Sequence, residues 1–344
     1  MQLTMKQVAP ILAGAAVLAL LSGCSQSGSG GSSTTVSTTA PTGAAPGGAP
    51  TGAPTEVAFV TNNVSDYWTV ARKGTDQAHA ELPNVTVDFI MPNDGSAATQ
   101  KQDVEDEIAK GAKAIAISPV DPKNQTVWLN SIAARVPLIT QDSDAPDSKR
   151  LMYLGTDNHA AGLQAGGLLK QALPQGGKVV LFVGMSDAQN AHDREQGIRD
   201  AIKGTNITIL DVRTDGADHG VAKNNAADEL VKVPDLAAEV GLWSYNGPAI
   251  LSAVTDANKV GKVKIVCFDD DSHTLAGIKS GAIYGTIVQQ PYQFGYQGVK
   301  ILNQLAHGDK SGIPASGAIY VPTQAIQQSN VADYEAKLAK LLGK

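Results

Sequence analysis

Residues Val136–Gly162 read "VPLITQDSDAPDSKRLMYLGTDNHAAG". Two short apolar runs, Leu138–Thr140 and Met152–Leu154, are separated by a polar, proline-containing connection. On either side the chain follows another rhythm. Apolar, β-rich runs alternate there with segments of helical spacing, roughly ten to seventeen residues long. Continuous apolar strands alternating with helices mean parallel sheets covered on both faces. The stretch at 136–162 interrupts that alternation, which restarts at Asn158. It therefore divides the strands into two sheets rather than one.

Outward from this divide, the strands predicted before it are Val57–Val60, Val85–Ile90 and Ala114–Ser118. Those predicted after it are Lys178–Val183, Thr208–Val212, Val240–Ser244, Lys264–Phe268 and Ala282–Gln289. The intervening helices carry their own punctuation. In "SAATQKQDVEDEIAKG", Ser96 can cap, Val104 and Ile108 share a face, and Gly111 stops the helix. The predicted fold class is α/β, with two doubly wound parallel-sheet lobes. Open sheets of this kind bind ligands beyond the carboxyl ends of their strands. Two facing lobes would line a cleft with their βα loops.

The residues after each strand are the candidates for chemistry. They include Asn62, Asn63, Ser65, Asp66, Tyr67 and Trp68; then Gln141, Asp142, Ser143 and Asp144; then Asn190 with Arg194 one turn later. Tyr245 and Asn246, Asp269 to Asp271, and Gln289 complete the set. This is an inventory of carboxylates, amides, one arginine and flat aromatics. The sequence has no nucleophile elbow, Walker loop or H-E-x-x-H, and its six histidines are scattered. No catalytic residue, metal or cofactor is expected. Amides and carboxylates pair with neighbouring hydroxyls, and arginine offers a fixed fork of donors. Tyr67 and Trp68 would cover the C–H face of a sugar ring. Asp66 or Ser65 can equally cap the helix that follows, and one of the two aromatics can be core. Trp243, inside a predicted strand, reads as core. His192 points away from the face shared by Asn190 and Arg194.

At these residues the chain resembles the type I periplasmic sugar-binding proteins, the ribose-binding family that serves ABC transporters. "AFVTNNVSDYWTVARKGTDQAHAEL", "AKGAKAIAISPVDP", "VPLITQDSD", "LGTDNHAAG", "NAHDREQGI", "WSYNGPAI", "VCFDDD" and "GTIVQQPYQFG" match it in order, across most of Glu56–Gln324. Carried over by position, the resemblance implies ligand contacts at Ser65, Tyr67, Trp68, Asp142, Arg194, Asn246, Asp269 and Gln289. Plainer readings stand beside some of these: a surface ion pair for Arg194, a helix cap for Asn246, and compensation of a helix dipole for Asp269. The resemblance also implies a three-strand hinge, with crossings near Gly155–Asn158, Gln289–Pro291 and Ala315–Val321. One lobe would hold 56–156 and 291–317, the other 157–290 and 318–344.

Two departures bear on the ligand. Ribose-type members carry an arginine after the aspartate matched by Asp142, where this chain has Ser143. Their second-lobe aromatic is replaced by "DGADHG", with Ala217 in its place. Ribose itself is put in doubt, and hexoses, deoxy sugars and polyols remain open.

The start of the chain addresses location. Lys6 precedes an apolar run from Val8 to Leu21, too short for a dependable membrane span and typical of a secretory signal over 1–23. Leu21-Ser22-Gly23-Cys24 resembles the lipobox of bacterial lipoproteins, which implies acylation of Cys24 and an anchor in the cell membrane, facing the periplasm or the exterior. Residues 24–55 then supply a Ser/Gly/Thr/Pro tether with an end-to-end distance of roughly 30 Å. Cys267, the only other cysteine, reads as a buried core residue. The formal net charge of −6, without clustered lysine and arginine, argues against nucleic acid as a partner.

These features together predict a monomeric, lipid-anchored substrate-binding protein of an ABC importer that closes on a monosaccharide-like molecule. The permease and its ATPase would be separate chains. The alternative is a receptor that presents a sugar or autoinducer to a membrane sensor kinase. A secreted α/β enzyme is the third class.

Overall fold

The computed structural model describes residues 54–344. The signal, Cys24 and nearly all of the tether lie outside the described residues. The first run of elements is β1 (Thr55–Val60), α1 (Asp66–Glu81), β2 (Val85–Ile90), α2 (Ala97–Lys110), β3 (Ile115–Ile117), α3 (Pro122–Ala133), β4 (Leu138–Gln141) and β5 (Tyr153–Gly155). The second is α4 (Asn158–Ala172), β6 (Gly177–Val183), α5 (Gln189–Ala201), β7 (Ile207–Thr214), α6 (His219–Lys232), β8 (Leu236–Gly241), α7 (Asn246–Asp256), β9 (Lys264–Phe268), α8 (Ser272–Ser280) and β10 (Gly285–Val288). The chain then returns through α9 (Pro291–Ala306) and β11 (Ala318–Tyr320), and ends in β12 (Gln324–Ile326) and α10 (Val331–Leu341).

The strands form two six-stranded sheets, ordered β11-β5-β4-β3-β1-β2 and β12-β10-β9-β8-β6-β7. The orders match position by position, so each strand of one lobe has a counterpart in the other. Pairing is parallel throughout except at β12, which runs antiparallel to β10. The expected punctuation appears in α2. The Ser96 hydroxyl accepts the Thr99 N–H at 3.1 Å, and Gly111 ends the helix at φ 118°.

Helix–helix contacts repeat the symmetry. The helix that enters each lobe from the other packs against the helix that follows β1 or its counterpart β6: α9 on α1, and α4 on α5. A Cβ on Gly295 would lie 2.1 Å from the Ala71 carbonyl oxygen, and one on Gly162 would lie 2.3 Å from that of Arg194. Only glycine lets the two backbones of each pair touch. Large apolar side chains fill the remaining space, Phe59, Trp68 and Phe294 in the first lobe and Phe182 and Phe268 in the second.

Most strand ends shift by a residue or two from expectation, and three boundaries differ in ways that bear on the cleft. The third crossing is not at 317/318. Ala318–Tyr320 pair with Tyr153–Gly155, and the Val321 N–H donates to the Gly155 carbonyl at 2.7 Å, so the first sheet keeps the chain to that point. The crossing therefore falls between β11 and β12. The strand expected at Val240–Ser244 is β8, which ends at Gly241, because the Trp243 N–H donates to the Asn246 side chain instead of a ladder. The strand expected from Ala282 begins at Gly285, since the N–H groups of Ala282 and Ile283 both donate to the Gly277 carbonyl. The crossings are tied together: Thr156 donates to Gln289 at 2.9 Å, and Gln290 donates to the Pro322 carbonyl at 2.7 Å.

Candidate functional site

The carboxyl ends of both sheets open onto one cavity of about 710 Å³. Two of its aspartates occupy equivalent places, Asp142 after β4 and Asp269 after β9. Both have left-handed backbones, at φ 60° and 67°, a region that costs a non-glycine residue energy and is often found at functional sites. Each is held by the next strand. The Asp142 N–H donates to the Leu154 carbonyl at 3.1 Å, and the Asp269 N–H to that of Ile287 at 2.8 Å. The strain is thereby fixed in place and aims each carboxylate out of its sheet.

Their surroundings differ. Asp142 accepts from the Tyr67 hydroxyl at 2.9 Å through Oδ1 and from the Ser118 hydroxyl at 2.8 Å through Oδ2. Asp269 accepts from Gln289 Nε2 at 2.9 Å through Oδ1. Burial raises both carboxyls, that of Asp269 to about 7, while Arg194 and the hydrogen bonds pull each back.

Arg194 is the cation whose charge acts on both. Its side chain is 1% exposed, on α5. Nε donates to Asn158 Oδ1 at 2.9 Å and Nη1 to the Leu242 carbonyl at 2.6 Å, and the guanidinium carbon lies 4.4 Å from the centre of the Phe268 ring. Nη2 is buried and has no partner in the protein. A buried charged donor left unpaired is costly, so this nitrogen marks a place for an acceptor. A surface ion pair for Arg194 is excluded by its burial.

Ser65, Tyr67, Trp68, Asp142, Arg194, Asp269 and Gln289 all line the cavity. Asn246 does not. It is fully buried at the start of α7, accepts from the Trp243 N–H and donates to Asp215 at 3.0 Å. It holds the β8–α7 turn from the first position of α7 and makes no helix-capping bond, so the cap reading does not hold either. Ser65 precedes α1 with an extended backbone and no side-chain capping bond.

The aromatic residues are rearranged relative to expectation. Trp68 is only 1% exposed, packs edge-to-face on Phe59 and belongs to the first lobe's core. Tyr67 is also buried, with its hydroxyl committed to Asp142. Trp243, expected in the core, is half-buried and lines the cavity, together with Tyr245 and His219. The overlong strand expected at 240–244 concealed it. The usable signal was Gly241, followed by an asparagine, Asn246, whose side chain can take up a turn N–H. Asn190 also lines the cavity, one turn from Arg194. The two departures from the ribose-type pattern leave room: Ser143 is buried outside the cavity lining, and Ala217 borders it with no ring. Among the described residues, no group of three or more histidine, cysteine or acidic side chains could hold a metal ion.

The chain matches the model of the periplasmic binding protein domain over residues 57–310. It is 28% identical over 225 residues to the ribose import binding protein RbsB of Haemophilus influenzae, covering 64% of this chain and 75% of that protein. Two solved structures are similar along most of their length. A solute-binding protein of an ABC transporter from Burkholderia graminis, in complex with D-arabinose, is 27% identical with a TM-score of 0.76, covering 82% of this chain and 98% of that one. Another, from Agrobacterium vitis with bound D-fucose, is 27% identical with a TM-score of 0.76, covering 82% and 99%. Two lobes wound alike, a cleft at the strand ends and this match over most of the chain lead to one conclusion: the protein belongs to the periplasmic binding protein family, with its type I fold.

Proposed function

We propose that the protein is an exported receptor that closes its two lobes on a neutral, hydroxyl-rich molecule of monosaccharide type and delivers it to an ABC permease whose ATPase is a separate chain. The observation that carries this reading is the Arg194 guanidinium, buried in the cavity wall with Asp142 and Asp269, whose carboxyls it acts on, and with Nη2 unfilled. A hydroxyl can accept from that nitrogen and donate to a carboxylate at once, as sugars do and as an anion or a cation cannot. An anionic ligand would add negative charge beside Asp142 and Asp269. The relatives that bind ribose, D-arabinose and D-fucose support the same class. Hinge closure of such proteins is a general pattern, and the three crossings between these lobes suit it. Bonds to both lobes form only in the closed state, so ligand shifts the population towards closure. The contacts of this reading are Ser65, Tyr67, Asp142, Arg194, Asp269 and Gln289, and Cys24 is the lipidated anchor at the outer face of the cell membrane.

The test is isothermal calorimetry and thermal shift against pentoses, hexoses and polyols, with small-angle scattering of the best binder. Saturable binding with a smaller radius of gyration is the expected result. Absence of binding and of any co-purifying small molecule would overturn the proposal. Loss of uptake on deletion supports transport, whereas loss of a transcriptional response alone supports presentation to a sensor kinase. The intact mass of the membrane-extracted protein reports the lipid on Cys24.

A further inference from the structure

The second-lobe wall of the cleft extends well beyond the polar floor. The carbonyl just before Trp243 accepts from Arg194, which seats Trp243 at the edge of the floor. The indole Nε1 donates to Asn190 Oδ1 at 3.3 Å, one turn of α5 further out than Arg194. Its edge lies over Gly184, where a Cβ would come within 2.1 Å of Cζ3. Tyr245 follows edge-to-face at 6.3 Å, its hydroxyl tied to Asp215. His219 then stacks on Tyr245 at 4.5 Å with only 9° between the rings. Exposure increases along this row, from buried Arg194 through half-buried Trp243 and Tyr245 to exposed His219. The row is longer than one sugar ring. Held, half-open aromatics at the edge of a buried polar group are typical anchors of binding energy.

We infer that the cleft binds a two-ring ligand, a disaccharide or aryl glycoside, with one sugar ring on the Arg194 floor and the second ring against the Trp243–Tyr245–His219 shelf. This rests on the reading of the floor as a sugar site. Two further features favour it. The cavity of about 710 Å³ has room for roughly two dozen waters at liquid volume, about twice the heavy atoms of a hexose. Ala217, at the side of the shelf, brings no ring that would close the cleft around a single sugar. The floor supplies recognition of hydroxyls and the shelf supplies area.

The experiment compares free pentoses and hexoses with the phenyl glycosides and disaccharides that contain them, by calorimetry and by tryptophan fluorescence, on wild type, Trp243→Ala and His219→Ala. At least one two-ring compound is expected to bind about tenfold or more tightly than its parent sugar. Trp243→Ala should remove most of that advantage. His219→Ala, at an exposed position where folding is not at stake, should reduce it severalfold while leaving the parent sugar unchanged. If two-ring compounds bind no better than their parents, or if His219→Ala weakens both equally, the shelf is not a second subsite even though the floor binds sugar. If no sugar of either size binds, the sugar reading itself fails and the inference falls with it.

Discussion

The two lobes share a plan and use it differently. Asp142 and Asp269 stand at equivalent strand ends with equivalent left-handed backbones. In the first lobe, both carboxylate oxygens of the aspartate are occupied by Tyr67 and Ser118, and Tyr67 and Trp68, though they border the cleft, are buried with the core. In the second lobe, the cation has an unfilled donor and the aromatics lie half-open along the cleft. Fold symmetry therefore fixes where a site forms, while the loops decide which half is rigid and which half is receptive. The first lobe acts as a prebuilt wall, and the second holds the unspent bonding capacity.

The sharpest way to break this comparison is to substitute the matched helices. Trp68→Ala, on the wall side, removes a fully buried indole and should destabilise the protein by about 3–5 kcal/mol, a loss read by urea titration. A change below about 1 kcal/mol would show that Trp68 is not core. Arg194→Met, on the receptive side, should abolish detectable binding, a loss of about 2–5 kcal/mol or more. It also leaves the two aspartates without their cation and should lower stability. Wild-type affinity in this variant would remove the basis of the asymmetry.

How far this was legible in the sequence follows from the same contrast. Apolar periodicity located most strands within a few residues, because a strand buried on both faces has little choice of composition. The aspartates were legible as residues at strand ends. Which of two adjacent aromatics faces ligand was not. Tyr67 and Trp68 are consecutive in a helix, about 100° apart around its axis, and either could face the cleft. Trp243 was hidden by an apolar context, "VGLW", that reads as continuing strand. β11 was missed because Ala318–Tyr320 form a short, half-exposed edge strand with no distinct pattern.

A smaller effect comes from the charge of Asp269. Its carboxyl is raised by burial from 3.8 to about 7. The folded state therefore holds that proton more tightly than the unfolded one. The stability linked to it is fully present below about pH 4 and is lost as pH rises towards 7. Ligand works in the opposite direction: a hydroxyl donating to the ionised carboxylate favours the charged form. Affinity should thus rise between pH 5.5 and 8, by about tenfold, since hydrogen bonds to charged groups contribute about 1.5–3 kcal/mol. Asp269→Asn should weaken binding at pH 8 by a similar factor and flatten the pH profile. An affinity independent of pH in the wild type would place the ligand's hydroxyl elsewhere.

The smallest expected effect concerns the strands themselves. β3 in the first lobe is wholly apolar, Ile115-Ala116-Ile117, and its counterpart β8 carries Glu239. Glu239 is fully buried between Val180 and Ile265, and neither of its oxygens has a partner. Burial, with Glu229 adding to it, raises its carboxyl to about 9, so it stays protonated and uncharged at neutral pH. The cost is that of an unpaired neutral polar group, not of a charge. Glu239→Met keeps the length of the side chain and removes the orphan oxygens, and should stabilise the protein by about 1–2 kcal/mol at pH 7. The sign of the pH dependence is the same as for Asp269: Glu239 adds a further loss of stability as pH climbs from about 4.5 towards 9, and the variant lacks that added loss. The gap between their melting temperatures should therefore widen with pH, with sugar affinity unchanged because Glu239 lies in the sheet and not in the cavity lining. A constant gap would mean that the carboxyl is solvated through local opening of β8, and that the second lobe is the looser of the two at its centre as well as at its cleft.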